Sequence, residues 1–433
     1  MRGISVIGFW VCAAGAVAQP VRPLAEGLHR QVLPLYRDLH EAEVGSLGIV
    51  GDSVSLLDAS YNWQLRNHFW DDFGSGGDGY LALARFNGNC GSNGGGPRCG
   101  IESIRGPGSF VSEDTGAWEP LGYSTPDGMW GQLRFDRVPG NWTVKTYGRE
   151  VVVHYTRRTG GGAFRLLLNG SPVATIDTGL PAGEPQAGAY LLDTGEDDPD
   201  TLSTIRFEMD STLPVQINAV EMRSAGGGLR YHRLARGGCG PARYLESMTT
   251  ANAELLRSLD LDLLIIMLDA AAGDGNNEPA LYQANLETLV DWYRAELSGV
   301  PMVLVTHHPF TPEIEAQADV ILDVARTRGL GYVNFYDLFS GFDEMDALGY
   351  MNGIVHLSPA GGAYFGGYLY DLLTTAADQA LLADWNADGE FDFFDVQAFL
   401  DSFSGGGADL NGDGVSNFFD VQMFLAAFSA AHE

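Results

Sequence analysis

The 433-residue chain predicts an α/β fold: a parallel sheet covered by helices on both faces, interrupted by an antiparallel β-sandwich and followed by a small all-α module. Three observations predict it. Between residues 228 and 376, continuous apolar runs such as "LDLLIIML" and "VPMVLVTHHPF" alternate with amphipathic stretches such as "EPALYQANLETLVDWYRAEL". That is the pattern of buried parallel strands followed by crossover helices. Residues 106–227 instead hold short β-branched runs separated by Gly, Asn-Gly and Pro turns, with a hairpin signal in "LLLNGSPVATI". From residue 384 an acidic unit repeats with a period of 25 residues, each copy ending in "FFDVQ" and an apolar helical run.

Residues 1–18 carry one Arg, an apolar stretch too short to span a membrane, and Ala16-Val17-Ala18. This reads as a signal peptide cleaved after Ala18, and predicts a secreted or extracellular protein, with cell-surface association open. Phe9-Trp10-Val11 before Cys12 lacks the small residues of a lipoprotein site, and no later segment is apolar for long enough to cross a bilayer.

Residues 22–105 form the first part of the α/β domain. They hold a helical start, "LAEGLHRQVLPLYRDLHEAE", the strand "SLGIVGDS", and a Gly-rich stretch "FGSGGDGYLAL" at 73–83. That stretch lacks the Lys and the strand–helix context of a phosphate loop and is expected as a surface loop bordering the site. Cys90 and Cys99 flank "GSNGGGPR", and a disulfide is expected in preference to zinc, because no partner Cys or His lies at ligand spacing. Cys239 is expected as a buried thiol. Residues 106–227 are the inserted sandwich, and 228–376 resume the α/β pattern. Three consecutive domains would leave the first with too few strands to bury a core.

The net charge of −31 excludes nucleic acid as a partner, since phosphate contacts need Lys and Arg clusters absent here. Part of the acidity has a spacing of its own. Each 25-residue unit opens Asp-x-Asn-x-Asp-Gly and closes with Asp at position twelve. Calcium needs six to eight oxygens around a sharp turn, and this spacing supplies them. The ligands are Asp384, Asn386, Asp388, the Glu390 carbonyl, Asp392 and Asp395 in one loop. In the other they are Asp409, Asn411, Asp413, the Val415 carbonyl, Asn417 and Asp420. Residues 380–430 resemble a type I dockerin, which implies calcium-dependent folding, with Ca²⁺ purely structural, and docking onto a cohesin-like or cell-surface partner. Phe-Phe-Asp-Val at each loop end departs from what such modules usually carry.

"GIVGDSVSLL", residues 48–57, ends an apolar strand in Gly51-Asp52-Ser53. Gly, Asp and Ser are common where strands stop, so an ordinary turn is one reading. The other is a nucleophilic serine, which needs a base and oxyanion donors. "MNGIVHLSPAGGAYFG" places His356 in a loop before the last helix of the α/β domain. Together "GIVGDSVSLL" and "VHLSPAGGAYF" resemble the first and last sequence blocks of the SGNH, or GDSL, hydrolases. The resemblance implies a flavodoxin-like three-layer α/β/α domain, here with an inserted antiparallel β-sandwich as in some carbohydrate and peptidoglycan O-acetylesterases of that superfamily. It implies Ser53 as nucleophile, His356 as general base, and the Ser53 N–H as one oxyanion donor. "RLARGGCGPARYL" matches the second block, with Gly240 as the second donor and Gly238 as competitor.

Two positions depart from the family pattern. Ala271 stands where the third-block Asn should be, with Asn276 and Asn277 several residues late. Gly353 stands where the triad acid should be, leaving Asp343 or Asp346 to reach in from the preceding loop. His307-His308 could line the same cleft, and two adjacent His residues in extended chain point to different sides, against a two-His metal site. Trp118, Trp130 and Trp142 could form a sugar-binding face or simply pack. The reading is a secreted serine ester hydrolase that removes acyl groups, acetyl foremost, from polysaccharide, with no cofactor for the chemistry. The rival is a decayed hydrolase fold acting as an extracellular carbohydrate-binding or scaffold protein.

Overall fold

A computed structural model describes residues 22–56, 60–82, 113–114, 118–120, 133–135, 141–196, 201–268 and 278–432. The signal peptide, Cys90, Cys99, Trp130, Ala271, Asn276 and Asn277 lie outside them.

The α/β domain is a three-layer sandwich around a parallel sheet. Strands Met302–Val305, Leu263–Met267, Val44–Gly51 and Gly228–Arg233 lie side by side in that order, all parallel. Gly331–Val333 continues the sheet outward, and Ala25–Glu26 closes the edge antiparallel. Because side chains alternate along a strand, each strand feeds both layers. Leu263, Ile265 and Met267 face helices Leu28–His40, Tyr61–Phe73 and Pro359–Ala383. Leu264, Ile266 and Leu268 face helices Thr250–Ser258, Pro279–Glu296 and Glu313–Arg328. This is the α/β architecture the alternating apolar runs imply. Among the described residues no helix is long and apolar enough to cross a membrane.

The insert is a sandwich, but one of its sheets is not separate. Strand Gly79–Ala82 pairs with the parallel strand Gly228–Arg233 on one side and antiparallel with Val215–Arg223 on the other. Hydrogen bonding therefore runs without a break from the α/β sheet into Val215–Arg223 and Glu150–Thr159. The second sheet, with strands 171–177, 163–168, 203–209, 141–146 and 113–114 in that order, packs on this extension. Phe164, Leu166, Ile205, Phe207, Ile217 and Val220 fill the space between them.

The Gly-rich stretch expected as a surface loop is this junction. Ser75–Gly77 and Gly79–Ala82 are buried strands, and the backbone is approached too closely for side chains. A Cβ at Gly77 would sit 2.2 Å from the Met222 carbonyl, and one at Gly79 2.5 Å from the Tyr231 carbonyl. Both glycines also have positive φ, +118° and +56°. His232, fully buried beneath the junction, accepts the Tyr80 N–H at Nδ1 and donates from Nε2 to Ser46 Oγ. Burial pushes it down to about 3, so it is held neutral.

Helix Pro359–Ala383 runs directly into the C-terminal module, whose first loop residue is Asp384. Helices Phe393–Ser404 and Phe418–Ala430 meet through Phe399 and Phe424, stacked at 4.1 Å and nearly parallel. The module sits on the α/β domain through Leu33, Ala380, Ala383, Phe391 and Ala431. Arg37 pairs with Asp384, and Arg30 with Glu390 at 2.9 Å.

Gly77→Ala should lower the thermal midpoint of the folded chain by the equivalent of about 2–3 kcal/mol, because the backbone itself must move. Gly170→Ala, at φ +82° in open space, should cost about 1 kcal/mol, the backbone term alone. Thermal melts of the two variants check the contrast.

Candidate active site

Strand Val44–Gly51 ends in the middle of the parallel sheet, at the edge where strand C-termini face a crevice. Gly51 is required there, since a Cβ would fall 2.1 Å from Ser55 Oγ. Its carbonyl accepts the Tyr244 hydroxyl at 2.5 Å. The chain then turns at Asp52, whose Oδ1 accepts the Val54 N–H at 2.8 Å, and Ser53 opens the four-residue helix Ser53–Leu56. An Asp side chain bonding two residues ahead is the local reason the strand turns here.

His356 arrives from the other end of the chain. Met351–Asn352 and His356–Leu357 form a short hairpin, with Asn352 opposite His356 and Gly353 at φ +75° in its turn. Ser358 then caps helix Pro359–Ala383, accepting the Gly361 N–H. The hairpin places His356 Nε2 2.9 Å from Ser53 Oγ. With the imidazole proton on Nδ1, the Ser53 hydroxyl donates to Nε2. The His356 pKa lies below its ordinary value: burial lowers it, the Asp52 carboxylate pulls it back up, and His307 pushes it down.

Neither Asp343 nor Asp346 meets the imidazole among the described residues. Both are exposed on helix Phe342–Ala347, and Asp343 lines a separate open cleft of about 380 Å³ with Phe310, Tyr336 and Phe342. An acid at position 353 would sit in a left-handed turn that suits glycine. The carboxylate near the dyad is Asp52 instead. Its Oδ2 lies 2.7 Å from His307 Nε2, and both side chains are buried. His308, next along, donates from Nε2 to the Val355 carbonyl at 2.9 Å. Sequence reasoning put the two histidines beside the cleft but did not find these partners. The signal was available in part, since two consecutive His stand at a strand end; the expected divergence is not seen, for the rings lie 5.7 Å apart.

The glycine packed on Ser53 is Gly237, where a Cβ would lie 3.3 Å from Ser53 Cβ. Gly238 follows at φ +63°, and Gly240 caps the short helix Pro241–Leu245 that carries Tyr244. Cys239 between them is buried, its Sγ 3.6 Å from the Gly237 carbonyl. The sequence offers no reason to place Gly237 against Ser53, because three glycines within four residues leave no local way to tell them apart.

In the C-terminal loops the side chains fold back on their own backbone. Asp395 Oδ2 accepts the Asp392 N–H, and Asp420 Oδ2 accepts the Asn417 N–H, both carboxylates being fully buried. Asn386 and Asp388 accept from Asp388 and Glu390, and Asn411 and Asp413 accept from Asp413 and Val415. Asp392 and Asn417 accept from Phe394 and Phe419, while Asp409 accepts from Gly414. Among the described residues no three acidic or His side chains converge on one point. Asp384 Oδ1 is nonetheless buried without a hydrogen-bond partner, and the donors are all hard oxygens, which fits a calcium ion.

No family model matches the chain, and no curated protein matches it. Solved structures do. The chain is similar to a peptidoglycan O-acetylesterase at TM-score 0.61 and 15% identity, over 82% of this chain and 99% of that one. At this identity the likeness shows the fold alone, the α/β architecture described above. Family two carbohydrate esterases match over less of this chain. One from Clostridium thermocellum, in complex with cellohexaose, has TM-score 0.28 and 11% identity, over 61% of this chain and 98% of that one. One from Cellvibrio japonicus has TM-score 0.28 and 10% identity, over 62% and 95%.

Gly51→Ala should leave little activity, because relieving the clash with Ser55 moves the turn that carries Ser53. Turnover of a small aryl acetate by the folded variant checks it, with a loss of about 100-fold expected from misplacement of this size.

Proposed function

We propose that the chain is a serine ester hydrolase of SGNH type that removes acyl groups, acetyl foremost, from polysaccharide outside the cell. The observation that carries this is the 2.9 Å contact between Ser53 Oγ and His356 Nε2 at the end of a parallel strand. Serine with a base in hydrogen-bond reach is an activated nucleophile. The fold shared with a peptidoglycan O-acetylesterase supports an ester as the bond broken and a glycan as its carrier.

In the mechanism, Ser53 Oγ attacks the acyl carbonyl while His356 Nε2 takes its proton. The carbonyl oxygen becomes an oxyanion, held by the Ser53 N–H and an N–H from Gly237–Gly240, where Gly240 remains our assignment and Gly238 its competitor. Collapse breaks the ester bond, and His356 gives the proton to the sugar oxygen, which leaves as a hydroxyl. Water, deprotonated by His356, then attacks the acyl-enzyme, and His356 returns that proton to Ser53 Oγ as the carboxylic acid leaves. The imidazolium that forms twice in this cycle is favoured by the negative charge of Asp52. No residue of this route needs a cofactor.

Calcium belongs to the C-terminal module in this account. Asp384, Asn386, Asp388, Glu390, Asp392 and Asp395 would hold one ion, and Asp409, Asn411, Asp413, Val415, Asn417 and Asp420 the other. The ion would tie each loop to the helix after it. Arg37 already neutralises Asp384, so the first loop should bind more weakly than the second. The exposed Phe393, Phe394, Phe418 and Phe419 support a docking role for the module, onto a cohesin-like or cell-surface partner.

Acetate release from acetylated polysaccharide and from an aryl acetate tests the reading. Ser53→Ala should cut turnover by at least about 10³-fold, and His356→Gln by a similar factor. Equal, background release by wild type and Ser53→Ala would favour the binding or scaffold reading. Because the base works neutral and its pKa is lowered, kcat/KM should rise with pH to a plateau, its midpoint lying below the 6.5 of an ordinary imidazole. Ca²⁺ should raise the thermal midpoint, by the equivalent of about 2.7 kcal/mol at 100-fold over Kd. Asp420→Asn should remove more of that gain than Asp384→Asn.

A further inference from the structure

We infer that His307 and His308 are a positioning clamp for the dyad, His307 holding the turn that carries Ser53 and His308 holding the hairpin that carries His356. The inference rests on the Ser53–His356 reading and deepens it. The two residues follow strand Met302–Val305 and are both buried. The two imidazoles lie side by side, their ring centres 5.7 Å apart, yet each finds a different partner. The His307 imidazole meets Asp52, the residue before the nucleophile, at 2.7 Å. The His308 imidazole meets the carbonyl of Val355, the residue before the base, at 2.9 Å. Two adjacent residues therefore grip both halves of a contact whose members are 303 residues apart.

The clamp stands on firm ground. Phe310 packs against both imidazoles, at 5.6 and 5.4 Å, and its N–H donates to the His308 carbonyl. Phe365, from helix Pro359–Ala383, lies 5.9 Å from His308. Thr306 fixes the strand end by accepting the Phe335 and Tyr336 N–H groups. The hairpin has greater need of support: its tip residue Ile354 is 77% exposed, and no carboxylate orients His356 among the described residues. In a complete triad the acid sets the imidazole's angle directly. Here the strand bearing the imidazole is tethered one residue earlier, through a main-chain carbonyl. A carbonyl only accepts, so the neutral imidazole that burial maintains, its pKa lowered to about 3, must carry its one proton on Nε2.

His308→Gln and His308→Leu separate this from packing alone. Gln can still donate to the Val355 carbonyl, whereas Leu fills similar space without a donor. We expect His308→Leu to lower kcat on an aryl acetate about 10–100-fold with KM within about twofold, since misplacement acts on the transition state. His308→Gln should recover kcat to within about fivefold of wild type. Phosphonylation of Ser53 by a fluorophosphonate should slow in parallel in the Leu variant. The clamp is overturned if folded His308→Leu keeps wild-type kcat, or if Gln and Leu are equally impaired at equal thermal midpoints. If His308→Leu does not fold, His307→Gln against His307→Leu gives the same comparison on the Asp52 side. Failure of the underlying reading would look different: wild type itself would show no Ser53-dependent turnover.

Discussion

Everything at this site depends on where strand Val44–Gly51 stops. It lies between Leu263–Met267 and Gly228–Arg233, parallel to both, so its C-terminal end opens at the middle of the sheet. Gly51 lets the turn close on Ser55, and Asp52 bonds forward to Val54 and across to His307. Ser53 is thereby presented on a short helix whose place is set by three strands. The hairpin bearing His356 needs only to reach that point. A nucleophile fixed by a sheet and a base brought in by a loop divide the work between rigidity and reach.

The insert bears on this more closely than a separate domain would. Its first sheet is hydrogen-bonded through Gly79–Ala82 to the strand next to Val44–Gly51. The polar contacts under that junction, Ser46 to His232 and His232 to Tyr80, tie the nucleophile strand to the seam. Buried Glu221, bonded to His154 at 2.9 Å and Arg223 at 2.7 Å, continues the polar lining on the insert side. A buried network that is fully bonded fixes geometry. The placement of the insert on the α/β domain is therefore set by backbone pairing between their strands.

The sequence made the α/β layers legible because buried parallel strands leave continuous apolar runs, as in "LDLLIIML". Ser53 and His356 were legible because each sits in a distinctive local motif, and the loops of the C-terminal module because their spacing is local. What the sequence hid are contacts between distant positions. Asp52 and His307 are 255 residues apart, and His308 and Val355 47 apart, with no periodicity to join them. "FGSGGDGYLAL" misled for a physical reason: glycine serves loops and also places where two backbones meet, and only packing tells these apart. Gly353 displaced the expected acid for a reason of the same kind, the turn of a hairpin too short to be seen in the sequence.

Activation of Ser53 by His356 is open to measurement by covalent trapping. The folded chain, treated with a fluorophosphonate at neutral pH and digested for peptide mass analysis, should carry one adduct, on Ser53. Labelling should fade as His356 is protonated below its lowered pKa, and should be slow in His356→Gln. Folded protein that takes no label, labels elsewhere, or labels Ser53 at the same rate without His356 would show that His356 does not activate Ser53.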